Sequence, residues 1–302
     1  MSSQDRAGLR DAARERRQRL TGIALMCGAV ACFAALDATA KYLNGHMDTL
    51  QVAWARYTSA FLLTLILSNP FTRPGLVRSS RPVLQISRAA LLLGSTLLNF
   101  LAFRYLQLDE ALAIMFSAPF IVAALSGPML GEWVGWRRWA AIGVGFLGVL
   151  VVTRPTSGGI HPAALFSLAS ASCLALYAIA TRVLSRSDGT ETTLFYSNVV
   201  GALLMLPVLP FVWTTPDRPL LVALMIEMGA FAALGHFLLI AAHRLAPAHV
   251  LAPFMYTQLV WVIALGFTIF ADLPNGWTLA GAGIVVASGL YILHRERVRG
   301  RR

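Results

Sequence analysis

The sequence predicts an all-α integral membrane protein with ten transmembrane helices arranged as two inverted five-helix repeats. Three observations carry this expectation. The chain is 57% hydrophobic and only 13% charged, with a mean hydropathy of +0.66, which is more apolar surface than a water-soluble domain can hide. Its apolar residues fall into stretches of bilayer-crossing length, about 20 residues each. The second half also echoes the first at an offset of about 140 residues, a period to be sought before any motif.

The stretches lie at 20–41, 50–69, 83–106, 109–130, 136–153, 162–184, 191–213, 219–242, 247–271 and 277–293. Connections between them are short, so any chemistry belongs inside the bundle or at its mouths. The expected organisation is a basic tail at 1–19, a first repeat at 20–154, a second at 162–294 and a basic tail at 295–302. An Arg-rich start, an apolar run and Ala38-Thr39-Ala40 imitate a signal peptide with its cleavage site, but the repeat of span one in span six argues for retention.

The formal charge of +11 invites a nucleic-acid reading, which the placement of the charges opposes. With both termini cytoplasmic, the inner segments collect Arg6, Arg10, Arg14, Arg73, Arg78, Arg81, Arg137, Arg138, Arg186, Arg244 and Arg295 among others. The outer segments hold only Lys41, Arg104, Arg154 and Arg218. This is the positive-inside asymmetry of a multi-pass protein in a bacterial-type inner membrane, and an even number of crossings agrees with it. Membrane lipid is therefore an expected partner, its anionic head groups against the basic tails, and nucleic acid is not. Cys27, Cys32 and Cys173 fall within spans without ligand-like spacing to histidine, so neither a disulfide nor a metal is expected.

Laid on the first half, the second pairs Cys32 with Cys173, Lys41 with Arg182, Leu106 with Leu245, Glu132 with Asp272 and Gly143 with Gly283. Five spans per half is an odd number, so the second half enters from the opposite side and a pseudo-two-fold lies in the membrane plane. Such repeats suit alternating access around a site near the midplane.

The chain resembles the EamA-type members of the drug/metabolite transporter superfamily. The resemblance rests on Arg104-Tyr105-Leu106, Ala118-Pro119-Phe120, Gly131-Glu132 and the Gly143/Gly145/Gly148 helix. In the second half it rests on His243-Arg244-Leu245-Ala246-Pro247, Ala252-Pro253-Phe254, Tyr256-Thr257-Gln258, Trp261 and the Gly281/Gly283 helix. It implies a ten-helix carrier without a resident cofactor, in a family whose members share fold more than cargo.

Ionisable groups within spans are costly and mark function by default. Asp37 on span one and Arg56 on span two lie at similar depth and form one candidate charge pair; Asp37 with Lys41, one turn on, is the local alternative. On span eight, His236 is either a proton-relay or hydrogen-bonding group or a packing residue beside Gly235, and Glu227 lies nearer the outside. Glu132 reads as a helix-end residue near Arg137 and Arg138. Trp54, Asn99, Phe116, Tyr177, Tyr196, His236, Tyr256, Gln258 and Trp261 supply a candidate substrate cavity of aromatic walls and a few polar groups, some of which belong instead to the lipid interface. Pro119 and Pro253 interrupt spans four and nine, as gates or as static bends. Gly143-Val144-Gly145-Phe146-Leu147-Gly148 spells a dinucleotide-binding pattern, but inside an apolar span it serves close helix packing, within the monomer or in a homodimer.

The functional expectation is a secondary transporter of small organic metabolites, with amino-acid export as the leading substrate reading. Uptake of a vitamin or nucleoside-like cofactor is the alternative, since aromatic walls stack such rings equally well. An integral-membrane enzyme would need clustered acid, base or metal-binding groups, and the histidines here are scattered.

Overall fold

The computed structural model describes residues 3–67, 74–131, 135–153, 161–184, 187–246, 251 and 254–299. Its helices are α1 (Ser3–Asn44), α2 (Thr49–Leu67), α3 (Pro82–Ala102), α4 (Leu108–Met115), α5 (Ala118–Leu130) and α6 (Trp136–Thr153) in the first half. The second half holds α7 (Pro162–Leu184), α8 (Thr190–Met205), the short α9 (Leu209–Val212), α10 (Pro219–Leu245), α11 (Gln258–Phe270) and α12 (Gly276–Arg299). Proline opens α3, α7 and α10, where its missing N–H costs nothing and its fixed φ suits the first turn. The N-terminal tail is not separate from the first span, because α1 carries it unbroken into the bundle. We call the end of the bundle where that tail enters the tail end, and the opposite end the far end.

Packing repeats between the halves with the roles exchanged. The dominant contacts of α1 with α10 and of α3 with α7 are counterparts, as are α2 with α10 and α3 with α8. The self-related contacts, α2 with α8, α4 with α11 and α6 with α12, lie along the pseudo-two-fold. The inverted arrangement expected from the offset is thus expressed as a packing scheme in which each half completes the other's core.

Span seven breaks at residues 206–208 between α8 and α9, and two further spans that depart from continuous helix are counterparts. Span four breaks between α4 and α5 at Phe116-Ser117, and span nine breaks at Tyr256-Thr257 just before α11. At the first break Pro119 cannot donate a backbone hydrogen bond, and the chain tightens so that Ser117 N donates to Ile114 O at 2.9 Å and Phe120 N to Ser117 O at 3.0 Å. At the second, Thr257 Oγ1 donates to Phe254 O at 2.6 Å and Leu259 N to Tyr256 O at 3.1 Å. Pro253 and Glu132 lie outside the described residues.

The helix ends match too. Gly131 closes α5 in the left-handed region at φ 73°, and Ala271 closes α11 there at φ 56°. Glycine enters this region freely, whereas alanine does so at a steric cost that the Ala271 N–H to Phe267 O and Asp272 N–H to Gly266 O bonds offset. Glycine also decides how α6 and α12 meet. A Cβ on Gly281 would stand 2.6 Å from Gly148 O, and one on Gly148 would stand 2.9 Å from Gly281 O. The two backbones therefore touch inside the monomer, while Gly143 and Gly283 lie exposed with no neighbour within 4 Å of such a Cβ.

Candidate functional site

The largest apolar core, around Ala34, Val52, Ala55, Phe100, Leu108, Met228 and Val262, packs α1, α2, α3, α4, α10 and α11 together toward the far end. Its alanines let the helices approach closely. Asp37 stands on α1 between the core residues Leu36 and Ala38, about 10 Å from the helix's far end at 1.5 Å per residue. The residue is partly buried, and its place well inside the helix puts an ionisable group at membrane depth. Such a group is tolerated only against a polar partner or a wet cavity.

Asp37 forms neither expected ion pair. Its Oδ2 accepts a hydrogen bond from Gln258 Nε2 at 3.3 Å, at the first residue of α11, while Arg56 acts on it only through space. Arg56 NH1 donates instead to Thr96 Oγ1 at 3.0 Å, and its guanidinium lies 4.7 Å over the Tyr57 ring. Thr96 gives its own proton to Leu92 O at 3.0 Å, so its oxygen accepts from both Arg56 and the Tyr57 hydroxyl, which is 2.9 Å away. A neutral threonine therefore tethers the arginine and leaves the carboxylate free of a salt bridge.

Lys41 is the reason the local alternative fails. Its Nζ reaches Asp272 Oδ2 at 2.7 Å and lies 4.8 Å over the Phe270 ring, joining α1 to the turn that Ala271 makes after α11. Two further ties between the halves cross the far end. Gln51 donates to Thr214 O at 2.8 Å and accepts from Thr214 N at 2.7 Å, and Asn275 Nδ2 meets Glu110 Oε1 at 3.5 Å. With side chains 15% and 26% exposed, the Lys41–Asp272 pair is screened less than a surface pair. Asp272→Asn is expected to cost about 1–3 kcal/mol, between surface and buried pairs. Exchanging the charges in Lys41→Asp/Asp272→Lys should recover most of the lost thermal stability in detergent; a double variant as unstable as the sum of its singles would refute the pairing.

Aromatic pairs meet within the bundle. Phe116 and Tyr256, the residues at the two helix breaks, meet edge to face with ring centroids 5.0 Å apart on the pseudo-two-fold. A Cβ on Gly289 of α12 would overlap the Tyr256 hydroxyl, so that glycine makes room for the phenol. Trp54 meets Trp213 edge to face at 5.8 Å. Trp54 Nε1, Arg56 Nε and Asn99 Oδ1 are among the buried polar atoms with no hydrogen-bond partner among the described residues. Buried donors and acceptors of this kind are costly unless something meets them.

The remaining candidates fall elsewhere. His236 packs edge to face on Phe33 at 5.1 Å beside Gly235, an arrangement that fits the packing role that was its alternative. Tyr177 lies under the Arg88 guanidinium at 4.8 Å. Tyr196 donates its hydroxyl to Val77 O at 3.0 Å in the 3₁₀ turn Pro74–Val77, so it anchors a tail-end connection and does not face the cavity. Trp261 is 45% exposed on the outer face of α11, where a bundle meets lipid. Pro119 is exposed as well, and acts through the break it creates. Glu227 is half-buried on α10.

Arg88, which the sequence reading passed over, is fully buried on α3. Its NH1 donates to Thr181 Oγ1 at 3.2 Å, and its NH2 donates to Thr193 O at 2.6 Å and Ser197 Oγ at 2.5 Å, tying α3 to α7 and α8. The rule that flagged Asp37 would have found it, since it stands inside the apolar stretch 83–106. Nearer the tail end Asp188 makes a further link: it accepts from Ser79, from Gln85 Nε2 at 2.8 Å and from Ser80 N at 3.0 Å. Desolvation would raise its pKa, but these donors outweigh it and hold the carboxyl down at about 2.

Inverted repeats whose broken helices meet on the symmetry axis are the architecture of membrane carriers. The particular family is equally plain: residues 20–154 and 161–293 each match the EamA-like transporter family, and the chain belongs to it. Among its relatives, a Rickettsia conorii protein named as an S-adenosylmethionine uptake transporter is 29% identical over 92% of this chain and 94% of its own. A Vibrio cholerae riboflavin transporter is 26% identical over 94% of this chain and 96% of its own. A Pseudomonas aeruginosa pseudopaline exporter is 24% identical over 89% and 94%. A solved crystal structure superposes on 94% of this chain and 99% of its own with a TM-score of 0.62 at 17% identity, a likeness of fold. None of these relatives is named for amino-acid export, so the cofactor and vitamin alternative gains ground over the leading expectation.

Proposed function

We propose that the protein is a secondary carrier that takes up an amphipathic, ring-bearing cofactor, S-adenosylmethionine or a close analogue, by alternating access. Both basic tails then face the cytoplasm of a bacterial-type inner membrane. The observation that carries this reading is Asp37, an intramembrane carboxylate held by an amide and not by a salt bridge, in a bundle that also brings together the Trp54–Trp213 and Phe116–Tyr256 pairs. S-adenosylmethionine offers an ammonium and a sulfonium for Asp37, a carboxylate for Arg56, and an adenine for the edges of Trp54, Phe116 and Tyr256. A neutral flavin would use the aromatic walls and leave both charges without a partner. The Rickettsia relatives support the same substrate.

The test is counterflow in proteoliposomes loaded with unlabelled S-adenosylmethionine, riboflavin, threonine or phenylalanine, following entry of the matching labelled compound. Accelerated exchange of S-adenosylmethionine alone is the expected result. Exchange of riboflavin instead would move the substrate to the flavins, and exchange of only the amino acids would restore the export reading.

A further inference from the structure

We propose that the crevice between α6 and α12 is a binding site for a single anionic glycerophospholipid, bound from the membrane side at the tail end of the bundle. This site is separate from the carrier cavity and does not depend on the transport reading.

The crevice follows from how the two helices pack. Gly148 and Gly281 bring the backbones together deep in the bundle, and Ser288 Oγ reaches Ala141 O at 2.5 Å nearer the tail end. Between these pins and the surface the facing residues are small, Ala140, Ala141 and Ala287. They leave a cavity of about 510 Å³ walled by Val144 and Ile284 and rimmed by Trp136, Arg137 and Tyr291. That volume lies within the ordinary range of small-molecule sites, and its lining is almost wholly apolar.

The rim identifies the occupant. Trp136 and Tyr291 are exposed, as is Trp139 one turn on, and exposed Trp and Tyr at a helix end mark the head-group level of a bilayer. The crevice therefore runs from head-group depth into the acyl region, where the available ligand is a lipid chain. Arg137 is exposed at the mouth, its guanidinium 5.4 Å over the Trp136 ring, and it makes no ion pair among the described residues. Beyond Tyr291 the sequence carries Arg295, Arg297 and Arg299 against a single Glu296, a stretch of net positive charge. An apolar slot with a cation at its mouth complements an acyl chain below an anionic phosphate, and basic pockets between transmembrane helices bind such head groups. The lipid would bridge span five of one repeat and span ten of the other.

The experiment is native mass spectrometry of the protein released from nanodiscs containing equal amounts of phosphatidylglycerol and phosphatidylcholine. The wild type is expected to retain one phosphatidylglycerol in preference to phosphatidylcholine by about fivefold, the factor that one cationic side chain supplies near an anionic surface. Arg137→Gln should keep a lipid but lose the preference. Ala287→Trp, which fills the slot, should lose the retained lipid, and Val144→Trp fills it from the opposite wall should the first variant fail to fold. Leu165→Trp, on an exposed face of α7, should behave as wild type. Equal retention of the two lipids by the wild type, retention of none, or unchanged phosphatidylglycerol in a slot-filling variant would overturn the proposal.

Discussion

Asp37→Asn is expected to raise the KM for S-adenosylmethionine counterflow by about 10–100-fold, the value of one charge-assisted hydrogen bond lost at a dry site. The substitution preserves shape and leaves an amide oxygen to accept from Gln258 Nε2, so the α1–α11 contact survives. What disappears is the negative charge, which no neighbouring ion pair consumes because Arg56 is tethered to Thr96 and Lys41 to Asp272. Detergent stability should therefore change far less than transport. A riboflavin-type substrate, carrying no positive charge, should be indifferent to the same change. An unaltered KM for S-adenosylmethionine would remove Asp37 from the substrate site and with it the charge argument for this substrate.

At Arg88 the order of damage is expected to run against chemical similarity, with Arg88→Lys worse than Arg88→Met. The guanidinium divides its donors between Thr181 on α7 and Thr193 and Ser197 on α8, and its flat face covers Tyr177. An ammonium cannot span those acceptors at once, yet it still carries a buried charge, and the loss is about 2–4 kcal/mol. Methionine fills much of the volume with no charge to desolvate. Its acceptors are not orphaned either, since Ser197 Oγ donates to Thr193 O at 2.8 Å and Thr181 Oγ1 to Tyr177 O at 2.7 Å. Replacing a buried ionic group by an apolar one of similar size is often nearly neutral. Melting temperatures of the two variants in one detergent decide the matter: a lysine variant more stable than the methionine one would mean that the positive charge itself, not the fork, holds α3 against α7 and α8.

The two positions were unequally legible in the sequence. Asp37 stands out in any reading that asks which spans carry charge, and Arg88 answers the same question, although attention to the charges at the span ends passed over it. The partners were another matter. Helical spacing put Lys41 one turn from Asp37 and depth put Arg56 opposite it, and both pairings were reasonable on distance along an element. Neither formed: Thr96 holds Arg56, and Ala271 turns the chain out of α11 into the left-handed region and delivers Asp272 to Lys41, a contact between residues 231 apart. Tyr196 and Trp261 went astray for a related reason: an aromatic side chain within a span looks the same in sequence whether it faces the cavity, a loop or lipid. The interruption of span four falls beside Pro119, a residue the sequence marks, but the meeting of Phe116 with Tyr256 at the two interruptions was not legible.

Composition, apolar periodicity and the offset of the two halves thus determined that this is a ten-span, two-repeat membrane protein, because burial in a bilayer imposes length and hydropathy locally, residue by residue. Which charges pair, which glycines bring α6 against α12, and which aromatics meet were decided only by tertiary structure. Those outcomes depend on how helices rotate and where they break against partners far away in the chain, and rotation leaves no mark on a sequence that is apolar on nearly every face.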